Sequence, residues 1–195
     1  MLNKKKFIGE DIRGIQKALA ELRIRVFRDF PYLYEGSLAY EGKYLERYIQ
    51  SPKAAVIAVF DDGDLVGAAT VLPLSDETEA TQAPFVKAGL DVSQIYYFGE
   101  SILLSQYRGQ GLGHYFFDER EKHAKLDPKC KITSFCAVNR PADHPMKPAG
   151  YRPLDEFWKS RGYKKNSDLQ ASFSWQDIGD AKETEKTMTF WLREI

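Results

Sequence analysis

The chain has 195 residues, 43% of them hydrophobic, enough for one full core, and we expect a single domain over 1–195. Its 28 basic and 28 acidic side chains cancel, so no overall field favours a nucleic acid or an acidic membrane surface. The run Lys4 to Lys6 is followed by no apolar stretch of signal-peptide length, and nowhere do ~18 apolar residues run together. A cytoplasmic protein is expected, with Cys130 and Cys136 reduced and, beside only three histidines, too sparse for a metal site.

From Asp11 to Phe30, Ile12, Ile15, Leu19, Leu22, Val26 and Phe30 recur at spacings of three and four, which predicts a one-sided helix ended by Pro31. A second helix is expected over Leu38 to Ile49, closed by Ser51-Pro52. The period then changes. Ala54 to Phe60 is a β-branched run leading through Asp61-Asp62-Gly63-Asp64 into Leu65 to Leu74, an antiparallel hairpin. Residues 75–94 contain Pro84 and Gly89 and read as an insert with at most a short helix. Ile95 to Leu104 is the next strand, and a glycine loop and a helix carrying Leu112, Tyr115, Phe116 and Ala124 inward follow it. Lys131 to Val138 forms a further strand. Residues 140–153 hold four of the nine prolines and read as a loop. A helix through Trp158 ends at Gly162, and Leu169 to Ile178 with Glu185 to Ile195 makes a terminal hairpin. The sum is an α/β protein, a mixed sheet with helices on both faces.

The stretch Ser105 to Arg120, SQYRGQGLGHYFFDER, carries the chemistry. Gly109, Gly111 and Gly113 remove the side chains that would keep a ligand off the backbone. The N–H groups opening the following helix lack intrahelical partners, and Arg108 stands beside them, which suits a phosphate. A nucleotide P-loop would need Lys and Ser or Thr after Gly113, where His114 and Tyr115 stand. A dinucleotide fingerprint would need G-x-x-G after the first G-x-G, at the first strand of a βαβ unit.

Arg108-Gly109-Gln110-Gly111-Leu112-Gly113, read as R-x-x-G-x-G between an apolar strand and an amphipathic helix, resembles the acetyl-CoA signature of the GNAT superfamily of N-acetyltransferases. The order of elements along most of the chain is similar to that family's. The resemblance implies acetyl-CoA as cosubstrate, with its pyrophosphate on the backbone of Arg108 to Gly113. It implies that Ile102, Leu103 and Leu104 lie along pantetheine in a gap between two splayed strands, with Asn139 as a further contact and no metal. It also implies direct acetyl transfer to a primary amine, on a small molecule or a peptide, and it leaves a homodimer open.

An alkylammonium has a pKa near ~10.4, so a base must take its proton. Glu100, a carboxylate in an apolar strand two residues before Ile102, is the candidate; the alternative reading is a salt-bridged structural glutamate. Family members often place a tyrosine beside the departing thiol, four residues before the glycine that ends the last helix. This sequence has Trp158 there, and an indole N–H cannot serve as a titrating acid. Water, Tyr151 or Tyr163 could take that role, or the protein could bind acyl-CoA without turnover as a regulatory module. Tyr32, Tyr34, Glu35, Asp143 and His144 are the polar groups on offer for the acceptor.

Overall fold

The computed structural model describes Met1–Ile195. Eight strands form one sheet: β1 (Asn3–Ile8), β2 (Ala55–Asp61), β3 (Asp64–Pro73), β4 (Ile95–Tyr97), β5 (Ser101–Leu103), β6 (Ile132–Val138), β7 (Lys164–Trp175) and β8 (Thr184–Glu194). Their spatial order is β1-β2-β3-β4-β6-β8-β7, with β5 also on β3. All neighbours are antiparallel except β4 and β6, which run parallel. The helices are α1 (Gln16–Phe27), α2 (Leu38–Gln50), α3 (Glu79–Lys87), α4 (Leu112–Ala124) and α5 (Asp155–Ser160). None is long and apolar enough to cross a membrane.

Alternation along the strands divides the core between two faces. Ile95 and Tyr97 on β4 pack with Leu19, Leu22, Leu45 and Tyr48 of α1 and α2. Tyr96 and Phe98 turn the other way, onto Phe117 and Ala124 of α4, Tyr163 and Trp191, with Phe157 and Trp158 of α5 at the margin. Helices therefore cover both faces, as the order of elements predicts.

Five elements differ from the sequence expectation, among them β7, which begins at Lys164 and not at Leu169 and ends at Trp175. The strand β1 is an edge strand with Lys4 to Lys6 exposed; it is held by backbone pairing to β2 and carries no apolar alternation to betray it. The first helix is shorter than Asp11 to Phe30, because Gly9–Ile15 winds as a 3-10 segment. On α4, Tyr115 is only half-buried, whereas Phe117 and Arg120 face inward. The strand expected from Ile95 to Leu104 is broken at Phe98-Gly99-Glu100. At that break Gly99 has no room for a side chain: the Tyr48 hydroxyl and the Thr70 Oγ1, 2.7 Å from an ideal Cβ, occupy its place.

The loop between α1 and α2 is tied to the far end of the sheet. Arg140 donates from Nε to Pro31 O and from Nη2 to Tyr32 O, both at 2.7 Å. Its fork also grips Asp177 at 2.6 and 3.0 Å, and Lys186 joins at 3.1 Å. Burial works to raise the Asp177 carboxyl, but Arg140 and Lys186 outweigh it and hold it below its usual range. A depressed carboxyl contributes stability above its unfolded pKa of ~3.9 and loses it as pH falls through the folded value. The N–H groups of Glu35 and Ile178 donate across this junction, to Gln176 O and Leu33 O. Asp177→Asn should speed their hydrogen exchange at neutral pH by roughly tenfold or more, as loss of a charge-assisted hydrogen bond requires. Wild type should show the same loss only below about pH 4. Unchanged exchange in the variant would mean that the clamp is not what holds the loop.

Candidate active site

The break between β4 and β5 opens the sheet. As far as Phe98, whose N–H donates to Ser134 O at 2.8 Å, β4 stays bonded to β6. Beyond it β5 pairs only with β3, and β6 only with β8. Antiparallel pairing engages alternate residues. The Thr70 N–H donates to Glu100 O and the Leu104 N–H to Val66 O, with Ile102 opposite Ala68, so these residues turn their backbone toward β3. Ser101 and Leu103 therefore turn theirs into the gap. From β6, by the same alternation, Cys136 and Val138 face them, because Lys131 and Asn139 bond to the β8 side. Of the strand residues singled out in the sequence, Leu103 presents its backbone N–H to the gap, while Ile102 and Leu104 support it from the side.

The glycine loop lies beyond the outer end of β5. Gly109 and Gly111 have φ of 76° and 78°, and Gly111 is the residue from which α4 starts. No atom lies within 4 Å of where a side chain would begin at either one, so the space above the loop is open. The N–H groups of Gly109, Gln110 and Gly111 donate to no other backbone group. Those of Leu112, Gly113 and His114 open the helix, whose first internal bond runs from Tyr115 N to Gly111 O at 3.1 Å. Leu112 is buried and anchors the turn, and Phe157 of α5 packs 3.4 Å from the Cβ position of Gly113. Arg108 is exposed, its Nε on Leu103 O at 3.3 Å and its Nη2 3.7 Å from Asp29. Gln110 folds back onto Gln106 O. A nest of free donors at a positive helix end, continued by unpaired strand backbone in the gap, suits a ligand with a phosphate-rich head and an extended amide-bearing arm.

Glu100 ends the break, at the inner end of the gap. It is 6% exposed, and its Oε2 lies 2.5 Å from Arg23 Nη1 of α1 as an ion pair and accepts the Tyr44 hydroxyl of α2 at 3.0 Å. Its Oε1 is buried with no hydrogen-bond partner. Arg23 also pairs through Nε with the fully buried Glu41, and its guanidinium lies 3.9 Å from the Tyr44 ring centre. Burial, and then the Glu100 carboxylate, push the Tyr44 phenol well up, so it acts as a donor. From the opposite face, the buried Arg120 reaches the Glu100 carbonyl at 3.1 Å and has the Phe98 ring under its guanidinium at 4.3 Å. Burial pulls Arg120 down to about 10.

Other sequence candidates lie around this centre. Asn139 faces β8: its N–H donates to Thr187 O and its amide exchanges bonds with Thr189 Oγ1 at 3.0 and 3.1 Å. Trp158 packs on Phe135 and Trp191, with ring centres 5.0 and 5.2 Å away, beside β6 on the α4 face. The Tyr163 phenol is enclosed between Thr133 Oγ1 at 2.9 Å and Glu121 at 3.3 Å, which removes it as a proton donor to the gap. Tyr151 packs edge-on against Phe30, and His144 lies on the other contact of that ring. Tyr32 packs on Phe27, with its phenol pushed up by burial and by the nearby Cys136 thiol and Tyr151. Arg23, Glu41, Tyr44 and Arg120 are absent from the sequence reading. Their signal is a polar side chain set within a core-facing helical stripe, as Arg23 is between Leu19 and Val26.

No protein-family model matches the chain, and no curated protein matches its sequence. Solved structures do match it. Arabidopsis thaliana NAA60 in complex with a bisubstrate analogue superposes with a TM-score of 0.62 at 12% identity, covering 100% of this chain and 99% of the other. The ribosomal-protein-alanine N-acetyltransferase from Brucella melitensis gives 0.61 at 14% identity, with the same coverage. An acetyltransferase of the GNAT family from Streptococcus pneumoniae gives 0.60 at 12%, covering 99% and 100%. NAA60 also matches, at 0.62, in its complex with acetyl-CoA. The likeness is one of fold, and it runs from end to end: the chain has the fold of the GNAT acetyltransferases.

Proposed function

We propose that the protein is an acetyl-CoA-dependent N-acetyltransferase that acts on a primary amine. The observation that carries this reading is the continuity of two features, the open nest at Arg108 to Gly113 and the unpaired backbone of Ser101 and Leu103 beside it, ending at a buried carboxylate. Acetyl-CoA supplies an acyl group activated as a thioester. The N–H groups of Gly109 to His114, with Arg108, hold its pyrophosphate. The Leu103 N–H and the carbonyls facing it across the gap hold the pantetheine arm as a further strand would be held. Glu100 accepts the proton of the acceptor's ammonium through one bridging water, since its free oxygen lies below the surface. Arg23 and Tyr44 fix its orientation through the other oxygen.

Attack is direct. Burial pushes the Cys130 thiol up to about 11 and the Cys136 thiol to about 12, so neither supplies a thiolate to carry the acyl group. The leaving thiolate, of a pKa near ~8.5, needs no strong acid, and Trp158 gives shape to that end without donating a titrating proton. Trp158 equally favours a second reading, a module that binds acyl-CoA without turnover. Incubation with acetyl-CoA and a panel of amines and peptides, following free thiol, separates the two; no thiol release with any acceptor leaves only the second.

Binding is tested apart from turnover. Acetyl-CoA at ~100 times its Kd should add about 2.7 kcal/mol, or roughly 5–10 °C in Tm for a chain of this size, and NADH should add far less. Gly111→Val should abolish the shift. Its Cβ would enter the open space over the nest, and a β-branched residue at φ 78° is strained. A shift retained in full by the variant would place the ligand elsewhere.

A further inference from the structure

Arg120 is a buried cation without a counter-ion. It is 2% exposed, and burial pulls it down to about 10, so it stays charged at neutral pH. The carboxylates near it are taken: Glu100 by Arg23, and Glu121 by Arg161 and Arg193. Its own partners are neutral. Nε donates to the Phe116 carbonyl of its own helix at 3.2 Å, and Nη1 to the Glu100 carbonyl at 3.1 Å, with the Thr70 carbonyl at 3.5 Å. The Phe98 and Phe117 rings lie 4.3 and 4.8 Å from the guanidinium. A methionine would fill this space without desolvating a charge, so packing alone does not account for an arginine here.

The carbonyl that Arg120 reaches already accepts the Thr70 N–H at 3.0 Å, so the guanidinium is a second, charged donor on one oxygen. In a trans peptide the C=O and N–H point opposite ways. By the alternation of β5 against β3, the N–H of that same amide, which belongs to Ser101, faces the gap. It is the gap-facing donor next to Glu100. Donors on a carbonyl polarise the whole amide and strengthen its N–H as a donor in turn.

We propose that Arg120 is a positioning residue for acyl transfer: it holds and polarises the Glu100–Ser101 peptide from behind, so that the Ser101 N–H receives the thioester oxygen as it becomes an oxyanion. The role rests on the gap being the acyl-transfer site. There the nitrogen of the neutral amine bonds to the carbonyl carbon, and the C=O pair moves onto the oxygen that meets the Ser101 N–H. The pair returns as the C–S bond breaks, with sulfur keeping its electrons. Of the two protons that the ammonium gives up, one passes through water to Glu100 and the other ends on the thiol.

The first test needs no acceptor. Acetyl-CoA carrying ¹³C at its carbonyl is bound to wild type, Arg120→Met and Arg120→Lys, and the carbonyl stretch is read by difference infrared spectroscopy. Wild type should lower the stretch below that of free acetyl-CoA, and Arg120→Met should return it most of the way. Its Kd should not change, because the nest lies about two turns earlier, at the start of α4. Arg120→Lys keeps the charge and should fall between the two. In wild type itself, the Ser101 amide proton and the Arg120 Nη protons should move downfield with acetyl-CoA and not with coenzyme A, a reading that needs no variant to fold. With an amine that turns over, Arg120→Met should lower kcat about tenfold at constant KM for acetyl-CoA, short of the 10²- to 10³-fold that loss of a whole oxyanion donor costs. Arg120→Lys should restore part of it. Unmoved Ser101 and Arg120 protons, or a stretch and a kcat in Arg120→Met equal to those of wild type, would overturn the role and leave the transferase. A stretch that moves as expected, with no thiol release from any amine, would keep the polarised peptide and remove the transferase. Wild type that binds no acetyl-CoA would remove both.

Discussion

Glu100→Gln is expected to lower kcat by roughly 10²- to 10⁴-fold, the usual contribution of a positioned general base. The substitution keeps the shape of the side chain and removes only its ability to hold a proton at neutral pH. Because Glu100 lies at the inner end of the gap, away from the Arg108 to Gly113 nest, the KM for acetyl-CoA should stay nearly constant while kcat falls, the signature of an interaction made in the transition state. The variant should also melt lower than wild type, since Arg23 loses one of its two carboxylate partners. Activity must therefore be compared at a temperature where both proteins are folded. A rate unchanged between about pH 6 and 9 would assign Glu100 to structure alone.

The glycine loop was legible because its information is local. Alternate glycines before an amphipathic stretch specify a nest whatever surrounds them, and Gly109 and Gly111 take up the positive φ that this requires. The hairpin of β2 and β3 was legible for the same reason, with Asp62-Gly63 at its turn. The break between β4 and β5 was not. In IYYFGESILL only Gly99 hints at a break in the backbone, and the break is imposed from outside by Tyr48 and Thr70, which fill the Cβ position, and by Arg120 on the Glu100 carbonyl. Glu100 itself could be picked out as an odd carboxylate among apolar neighbours. Its partners could not be, because the pairings of Arg23 and Tyr44 with it span 77 and 56 positions in sequence. Long-range ion pairs leave only the weak local trace of a charged residue on an apolar helical face. The edge strand β1 leaves less still, since lysines on an edge resemble any solvated segment.

Arg23→Met is expected to destabilise the fold by about 3–5 kcal/mol, the cost of leaving buried charge without its partner. Both Glu41, fully buried, and Glu100, 6% exposed, would lose their only salt-bridge partner. The stacking of the guanidinium on Tyr44 and Phe27 would go as well. For a chain of this length the loss corresponds to a fall in Tm of roughly 6–20 °C. A neutral set, Arg23→Met with Glu41→Gln and Glu100→Gln, should recover much of that loss, because replacing a whole buried ion cluster by uncharged side chains is often neutral or stabilising, by about 1–4 kcal/mol. The recovered protein should nonetheless release no thiol. Stability that returns without activity would show that the triad is kept for the chemistry at the end of the gap and not for the fold. A single Arg23→Met variant that melts close to wild type would contradict the enclosure of these charges.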